Sequence, residues 1–317
     1  VQHSDDHYFI NSTQPLTNDV RFYRKTTTGW KEYRSGVDLP AENRFVKSNF
    51  LVFPLEQRQG DTGTYFIRIS SYFPVLISTK IGTETDFWES QFNDSIFAGV
   101  FFGIMLVMAL YNLFLFLTNR DRVYIYYVLY VLFSVVFISF TNGYIVSFPD
   151  FFRIIFIHSH VLFPVLFGYF GVLFTVRFLN TRKYAPRLHT TLYVLMFLTT
   201  GVVAAGFFVP HLSTFFIQLI GMLLSVFSLA TGFTVYRKGY APSRYYLLGF
   251  GIYMVGLATY IVIAFVDLDT GAFTPQRILM GSSAIEAIIL SFAIGDKLNI
   301  ALHDKQAAQE KTLEAVR

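Results

Sequence analysis

In the stretch "SSAIEAIILSFAIGDKLNIALHD" at 282–304, a single carboxylate, Glu286, stands inside a run otherwise fit for lipid. An ionised side chain at mid-membrane costs roughly 3 kcal/mol on insertion scales, so it has to be paired, kept protonated or put to use. At a helical rise of about 1.5 Å per residue, Glu286 lies at a depth similar to Asn112, and Tyr111, Asn112 and His160 are the donors that could meet it. Three roles stay open: a polar clasp that fixes helix packing, a switch between two packings, or ion transfer. His158 and His160, in "HSH", have the residue types of a metal site. Residues two apart on a helix point to nearly opposite faces, so no shared metal is expected. "DLDTG" at 267–271 resembles the start of a calcium loop but lacks the third acidic position and the distal Glu, and reads as a polar outer loop. No cofactor is called for. Trp30, Tyr33 and Tyr65 would suit a sugar or a small carboxylate, and would equally suit the core of a sheet.

The elements that must position these residues are mostly membrane helices. Hydrophobic residues make up 53% of the chain, aromatics 19% and charged residues only 15%, with a mean hydropathy of +0.46. That composition points to a membrane protein. Residues 95–119, 123–149, 154–176, 188–236 and 245–266 contain no Asp, Glu, Lys or Arg, and roughly 20 apolar residues suffice to cross a bilayer. The run 188–236 is about twice that length, with "FFVPHLS" at 207–213 as its turn, and counts as two helices. With 278–295, interrupted only by Glu286, seven spans result. "GVFFG" at 99–103 is a small-xxx-small pattern that lets helices approach closely, and internal packing is its expected use. The aromatics at 124–127 and "SFPDFF" at 147–152 are expected at membrane edges.

The first 90 or so residues differ in kind. "NFLVFPL" at 49–55 and "TYFIRIS" at 64–70 read as strands, and "TTTGW" at 26–30 and "RQGDTGT" at 58–64 as hairpin-type loops. About five strands would leave an unpaired edge, so further N-terminal strands or a partner chain are expected. The fold class is thus a mainly α membrane protein, a seven-helix bundle with an N-terminal all-β module. The expected division is 1–90 for the module, 91–300 for the bundle and 301–317 for a cytoplasmic connector helix.

Lys and Arg fall unevenly between the loops. Arg120, Arg122, Arg177, Arg182, Lys183, Arg187, Arg237, Lys238 and Arg244 lie on one side, against Arg153 and Arg277 on the other. Cytoplasmic loops carry the excess, which places the β module outside and the C-terminus inside. The pI near 9.1 is no nucleic-acid signal, because the basic residues sit at helix ends. There are no cysteines, hence neither disulfides nor thiolate metal sites. A start at Val1 without a basic and apolar leader suggests a fragment or a processed product.

"GVFFGIMLVMALYNLFLFLTNRDRVYIYYVLYVLF" at 99–133, "RFLNTRKYAPRLH" at 177–189 and "AIEAIILSFAIGDKLN" at 284–299 resemble the bacterial seven-transmembrane receptors with diverse intracellular signalling modules. The last helix of that family usually reads closer to "LE…LSLALADRIN", so Gly295 and Lys297 are mild departures. "DVRFYRKTTTGW" at 19–30 and "YFIRISS" at 65–71 look like later strands of the family's extracytoplasmic jelly-roll sensor. The resemblance implies a receptor of the bacterial inner membrane. A periplasmic ligand, carbohydrate or carboxylate, or a protein partner would act on the module. The helices would pass a shift to a cytoplasmic histidine kinase, diguanylate cyclase or phosphatase beyond Arg317, with no catalytic centre in the chain itself.

The tail from Asp296 onwards continues the last helix without Gly or Pro and looks like a connector. Lipid and a second copy of the chain are the expected partners, since such outputs work as symmetric pairs. A transporter or an accessory membrane subunit is the alternative. The absence of a lysine from 278–295 argues strongly against a retinal-type receptor.

Overall fold

The computed structural model describes residues 8–12, 15–26, 28–55, 63–71, 79–159, 161–206, 210–266, 268, 271 and 273–316. They form two compact units. The first comprises 1–100, 135–163 and 261–277, and the second 101–134, 164–260 and 278–317.

In the first unit, strands β1 (Tyr8–Ser12), β2 (Asp19–Thr26), β3 (Gly29–Ser35), β4 (Leu51–Leu55), β5 (Tyr65–Ser70) and β6 (Thr79–Thr83) make two antiparallel sheets of three, in the orders β4-β1-β6 and β3-β2-β5. Side chains alternate across a strand, so Val20 and Phe22 of β2 point inward while Arg21 and Tyr23 point out. Leu51 and Phe53 of β4 meet them from the other sheet, with Phe22 stacked on Phe53 at 5.0 Å. Burying one such ring contributes about 1.5–3 kcal/mol. Pro54 sits on the edge strand β4, where a missing donor blunts further pairing. The "TTTGW" hairpin closes where Thr26 pairs with Gly29, whose φ of 144° suits glycine. Of "RQGDTGT", residues 58–62 lie outside the described residues.

β6 passes into α1 (Glu84–Asn119) with no residue between them. The Thr83 hydroxyl accepts from the Asp86 N–H at 3.1 Å, and Asp86 Oδ2 accepts from the Thr83 N–H and hydroxyl, a reciprocal cap that starts the helix abruptly. The same unit holds the end of α2 (Arg122–Thr141), a 3-10 turn (Tyr144–Ser147) and α3 (Asp150–His158). Leu16 and Val37 of the β module pack there with Phe140, Ile145 and Val146.

The second unit holds α4 (Leu162–Phe178), the short α5 (Thr181–Tyr184), α6 (Pro186–Gly206), α7 (Pro210–Arg237), α8 (Ser243–Val266) and most of α9 (Pro275–Val316). Val172, Leu192, Leu195, Met196, Ile220 and Leu224 join α4, α6 and α7 in one apolar cluster. Among the described residues, six helices are long and apolar enough to cross a membrane, and α4, with 17 residues, is a shorter apolar one.

Three boundaries differ from the sequence reading. The expected span 154–176 is divided between α3 and α4. Pro164 lacks an N–H and its ring crowds the carbonyl four residues back, so one continuous helix is disfavoured. The expected span 123–149 stops at Thr141, because Gly143 turns the chain at a φ of 72°. "FFVPHLS" is not all turn: α7 starts at Pro210, a position where the missing proline N–H would be unpaired anyway. "GVFFG" differs too: Cβ atoms added at Gly99 and Gly103 would meet nothing within 4 Å among the described residues, so no close helix approach is seen there.

Helix packing in the second unit does depend on glycine at Gly256, where an added Cβ would overlap the Ser282 side chain. Overpacking of this kind costs about 1–3 kcal/mol. Gly256→Ala is therefore expected to lower the Tm of the detergent-solubilised protein by several degrees, and adding Ser282→Gly should restore most of it. An unchanged Tm for the single variant would show that α8 and α9 do not approach so closely.

Candidate functional site

The polar side chains of the second unit converge on α9. Glu286 is 1% exposed, and Tyr130 of α2 donates its hydroxyl to Glu286 Oε1 at 2.9 Å. One turn away on the same face of α2, Tyr127 donates to the backbone carbonyl of Ala287. Phe167 of α4 stacks on Tyr130 at 5.1 Å, and Phe174 lies against both tyrosines. Asn112 of α1, fully buried, donates to Ser291 Oγ at 2.8 Å and to the Met108 carbonyl at 2.9 Å. Thr175 of α4 and Tyr246 of α8 share a hydrogen bond at 2.9 Å. In hydrocarbon no water competes for these groups, so each bond fixes a helix register.

The expected donors fare differently. Asn112 faces α9 but bonds Ser291, five residues beyond Glu286. Tyr111 is 49% exposed and points away from that line, since neighbours on a helix differ by about 100° in direction. His160 lies outside the described residues. The donor that Glu286 uses, Tyr130, was missed. Tyr124 and Tyr127, expected at a membrane edge, are buried at 3% and 0%. Their signal was the spacing of tyrosines 127 and 130, which puts both rings on one helical face.

A second polar set joins the β module to the helix ends of the first unit. Buried Arg153 of α3 donates to the Val37 carbonyl at 2.8 Å and pairs with Asp150. Buried Arg44 donates to the carbonyls of Gly36, Leu39 and Ser48. Burial, with the Arg153 charge nearby, pulls its guanidinium down to about 10, so it stays charged at neutral pH. Gln91 of α1 accepts from Ser48 and donates to Asn49, which in turn donates to the Asn142 carbonyl. Arg277 pairs with Asp94 at 2.7 Å, both largely buried.

The aromatic trio proposed for a ligand does not form one site. Tyr33 and Tyr65 pack against Phe22 inside the sandwich, whereas Trp30, 54% exposed, meets Phe66 edge-on at 5.4 Å on the opposite face. Strand parity explains it, because residues 30 and 33 are an odd number apart. That outer face also carries a row the sequence reading missed: Arg34, Arg21 and Arg68 lie directly opposite one another across β3, β2 and β5. Asp19 accepts from Arg34 at 2.5 Å and from Arg21 at 2.9 Å, while the exposed Arg68 side chain has no partner among the described residues. No group of three potential metal ligands occurs among the described residues.

Glu286→Gln keeps an oxygen for Tyr130 and is expected to fold, whereas Glu286→Lys puts a cation against a donor and is not. Tyr130→Phe should cost about 1–3 kcal/mol. Equal melting of all three variants would show that the carboxyl is not held as described. Burial alone would raise the Asp19 carboxyl, but hydrogen bonds from Arg34 and Arg21 outweigh it and hold it below its ordinary 3.8. Its stabilising effect is full above that value and is lost as pH falls through the lower folded one. The Tm advantage of wild type over Asp19→Asn should therefore be constant near neutrality and shrink below about pH 4.

The family model described as 7TM diverse intracellular signalling matches residues 94–297, and the one described as 7TMR-DISM extracellular 2 matches residues 2–83. No curated protein and no solved structure matches the chain. The first match spans the helices that carry the Glu286–Tyr130 clasp, and the second spans the β sandwich. The chain belongs to the seven-transmembrane receptors with diverse intracellular signalling modules, with that family's extracellular module at its N-terminal end.

Proposed function

We infer that the chain receives a small acidic ligand on its outer sheet and passes a helix shift to a signalling domain, a kinase, cyclase or phosphatase, attached after α9. The observation that carries this reading is the unbroken path of the backbone. β6 enters α1 without a linker through the Thr83–Asp86 cap, and α9 runs as one helix from Pro275 to Val316, well past its apolar segment. A flexible tether between sheet and helix would absorb a strain, whereas a capped strand-to-helix junction passes it on. The module is also tied to α3 by buried Arg153, which donates to the Val37 carbonyl, so a change in the sandwich is felt there.

The ligand reading rests on the outer face of β3-β2-β5. Arg68 offers an exposed guanidinium with no partner among the described residues, whose fork suits a carboxylate, beside the exposed Trp30–Phe66 pair, which suits the apolar face of a sugar. An acidic sugar or a small dicarboxylate combines both contacts. The module faces the periplasm and the C-terminus the cytoplasm of a bacterial inner membrane, an orientation supported by the uneven Lys and Arg count. Pairing of two copies is supported by Gly99 and Gly103, which open outward on α1.

The chain has no cysteine, so single introduced ones report cleanly. Arg68→Cys should react with a membrane-impermeant maleimide on intact spheroplasts, and Lys311→Cys only after permeabilisation. Gln309→Cys, exposed on α9, should crosslink into a dimer. Ligand should change the crosslinking yield, and Arg68→Ala should abolish that change. Labelling of Lys311→Cys from outside would reverse the orientation, and monomer at every protein concentration would exclude the pair.

A further inference from the structure

Where α2 begins and α4 ends, the second unit contains an open cavity of about 500 Å³ whose lining includes Arg122, Arg177, Arg182 and Lys297. The acidic member of the lining is Asp121, 3.8 Å from Arg177 Nε. Four cations, from α2, α4, α5 and α9, thus line one cavity together with one carboxylate. The side chains of Arg122 and Arg182 have no partner among the described residues. Among the described residues Lys297 Nζ reaches the Phe178 carbonyl, at 3.5 Å, and stands 5.6 Å over the Phe178 ring, which occupies at most one of its three donors. Like charges gathered in one cavity repel, and an anion with several acceptor oxygens relieves that repulsion while filling the donors.

The shape of the surroundings narrows the anion. Leu173 and Val176 of α4 and the Tyr193 ring of α6 add apolar surface to the lining. One turn from Tyr193, Phe197 is 78% exposed, and Leu198 beside it is 50% exposed. An apolar track therefore leads out of a basic cavity along a membrane-length helix, which suits a molecule with a phosphate at one end and hydrocarbon at the other. A free phosphate has no use for the track.

We propose that this cavity binds the headgroup phosphate of an anionic phospholipid and that the bound headgroup holds α9 through Lys297. Occupancy stabilises one register of the helix on which any output depends. The proposal rests on the receptor reading only for its effect on signalling. The binding itself is measured without reference to orientation, ligand or output, so either can fail alone.

The test uses the full chain in a zwitterionic detergent. Dioctanoyl phosphatidylglycerol, dioctanoyl phosphatidylcholine and inorganic phosphate are titrated separately and followed by Tm and by native mass spectrometry. Phosphatidylglycerol is expected to bind saturably and raise the Tm, phosphatidylcholine to do neither, and inorganic phosphate to bind far more weakly. Arg182→Gln and Lys297→Gln should each weaken phosphatidylglycerol about tenfold, the worth of one charge-assisted hydrogen bond. Lys311→Gln, far along α9, should leave it unchanged. Arg122→Gln gives a further readout if the Lys297 variant fails to fold. Equal binding of phosphatidylcholine, or phosphatidylglycerol affinity that survives loss of these cations, overturns the proposal. Inorganic phosphate binding as tightly as the lipid would reassign the cavity to a soluble phosphate compound and overturn the lipid assignment.

Discussion

A carboxyl group in hydrocarbon has no water to fall back on, so Glu286 must find its donor on a neighbouring helix or leave α9 out of the bundle. Tyr130 supplies that donor, and much of the second unit is arranged to hold Tyr130 in place. Phe167 stacks on its ring, Phe174 lies behind it, and Tyr127 one turn away bonds the Ala287 carbonyl. The carboxyl contributes little net stability, since desolvation offsets most of its attraction to a donor. What it contributes is uniqueness. A one-residue slip of α9 would leave a buried acceptor unpaired, at a cost of about 1–3 kcal/mol on top of the apolar mismatch along the same helix.

The arginines show how charge can be committed or left available. Arg153 and Arg277, on the sparsely basic side, are each tied to a carboxylate, and Arg153 also to the Val37 carbonyl. They join the β module and the helix ends of the first unit. On the opposite side, Arg122 and Arg182 face a cavity with no partner among the described residues. A single statistical rule about loops therefore covers two physical uses of the same side chain, one structural and one open to a ligand.

Much of the fold could be read from the amino acids because a membrane leaves few choices. Long charge-free runs must be helices, strand patterning marked β4 and β5, and the resemblance of 19–30 to the family's sensor module marked β2. The break between α3 and α4 was also readable, since Pro164 cannot follow four residues of regular helix without a clash. The separation of Trp30 from Tyr33 was readable from strand parity alone. Other features were not. That Tyr130 rather than Asn112 meets Glu286 depends on which helix faces α9, and depth along the membrane normal does not decide that. The row Arg34–Arg21–Arg68 depends on the register of three strands, and the basic cavity on the convergence of four helices. Each comes from contacts between residues far apart in sequence.

These constraints act together on α9. Glu286, Ala287 and Ser291 hold one stretch of the helix to α2 and α1, and Lys297 reaches the carbonyl of Phe178 at the end of α4. From 286 to 297 is about 16 Å of helix, with no proline to let one end turn without the other. Rotating α9 by even one residue would break the Tyr130, Asn112 and Phe178 contacts at once, so one register of the helix is held at several points together. Beyond Lys297 the described polar residues Gln306, Gln309, Glu310 and Lys311 are exposed, and the helix continues to Val316 past the contacts that hold it in the bundle.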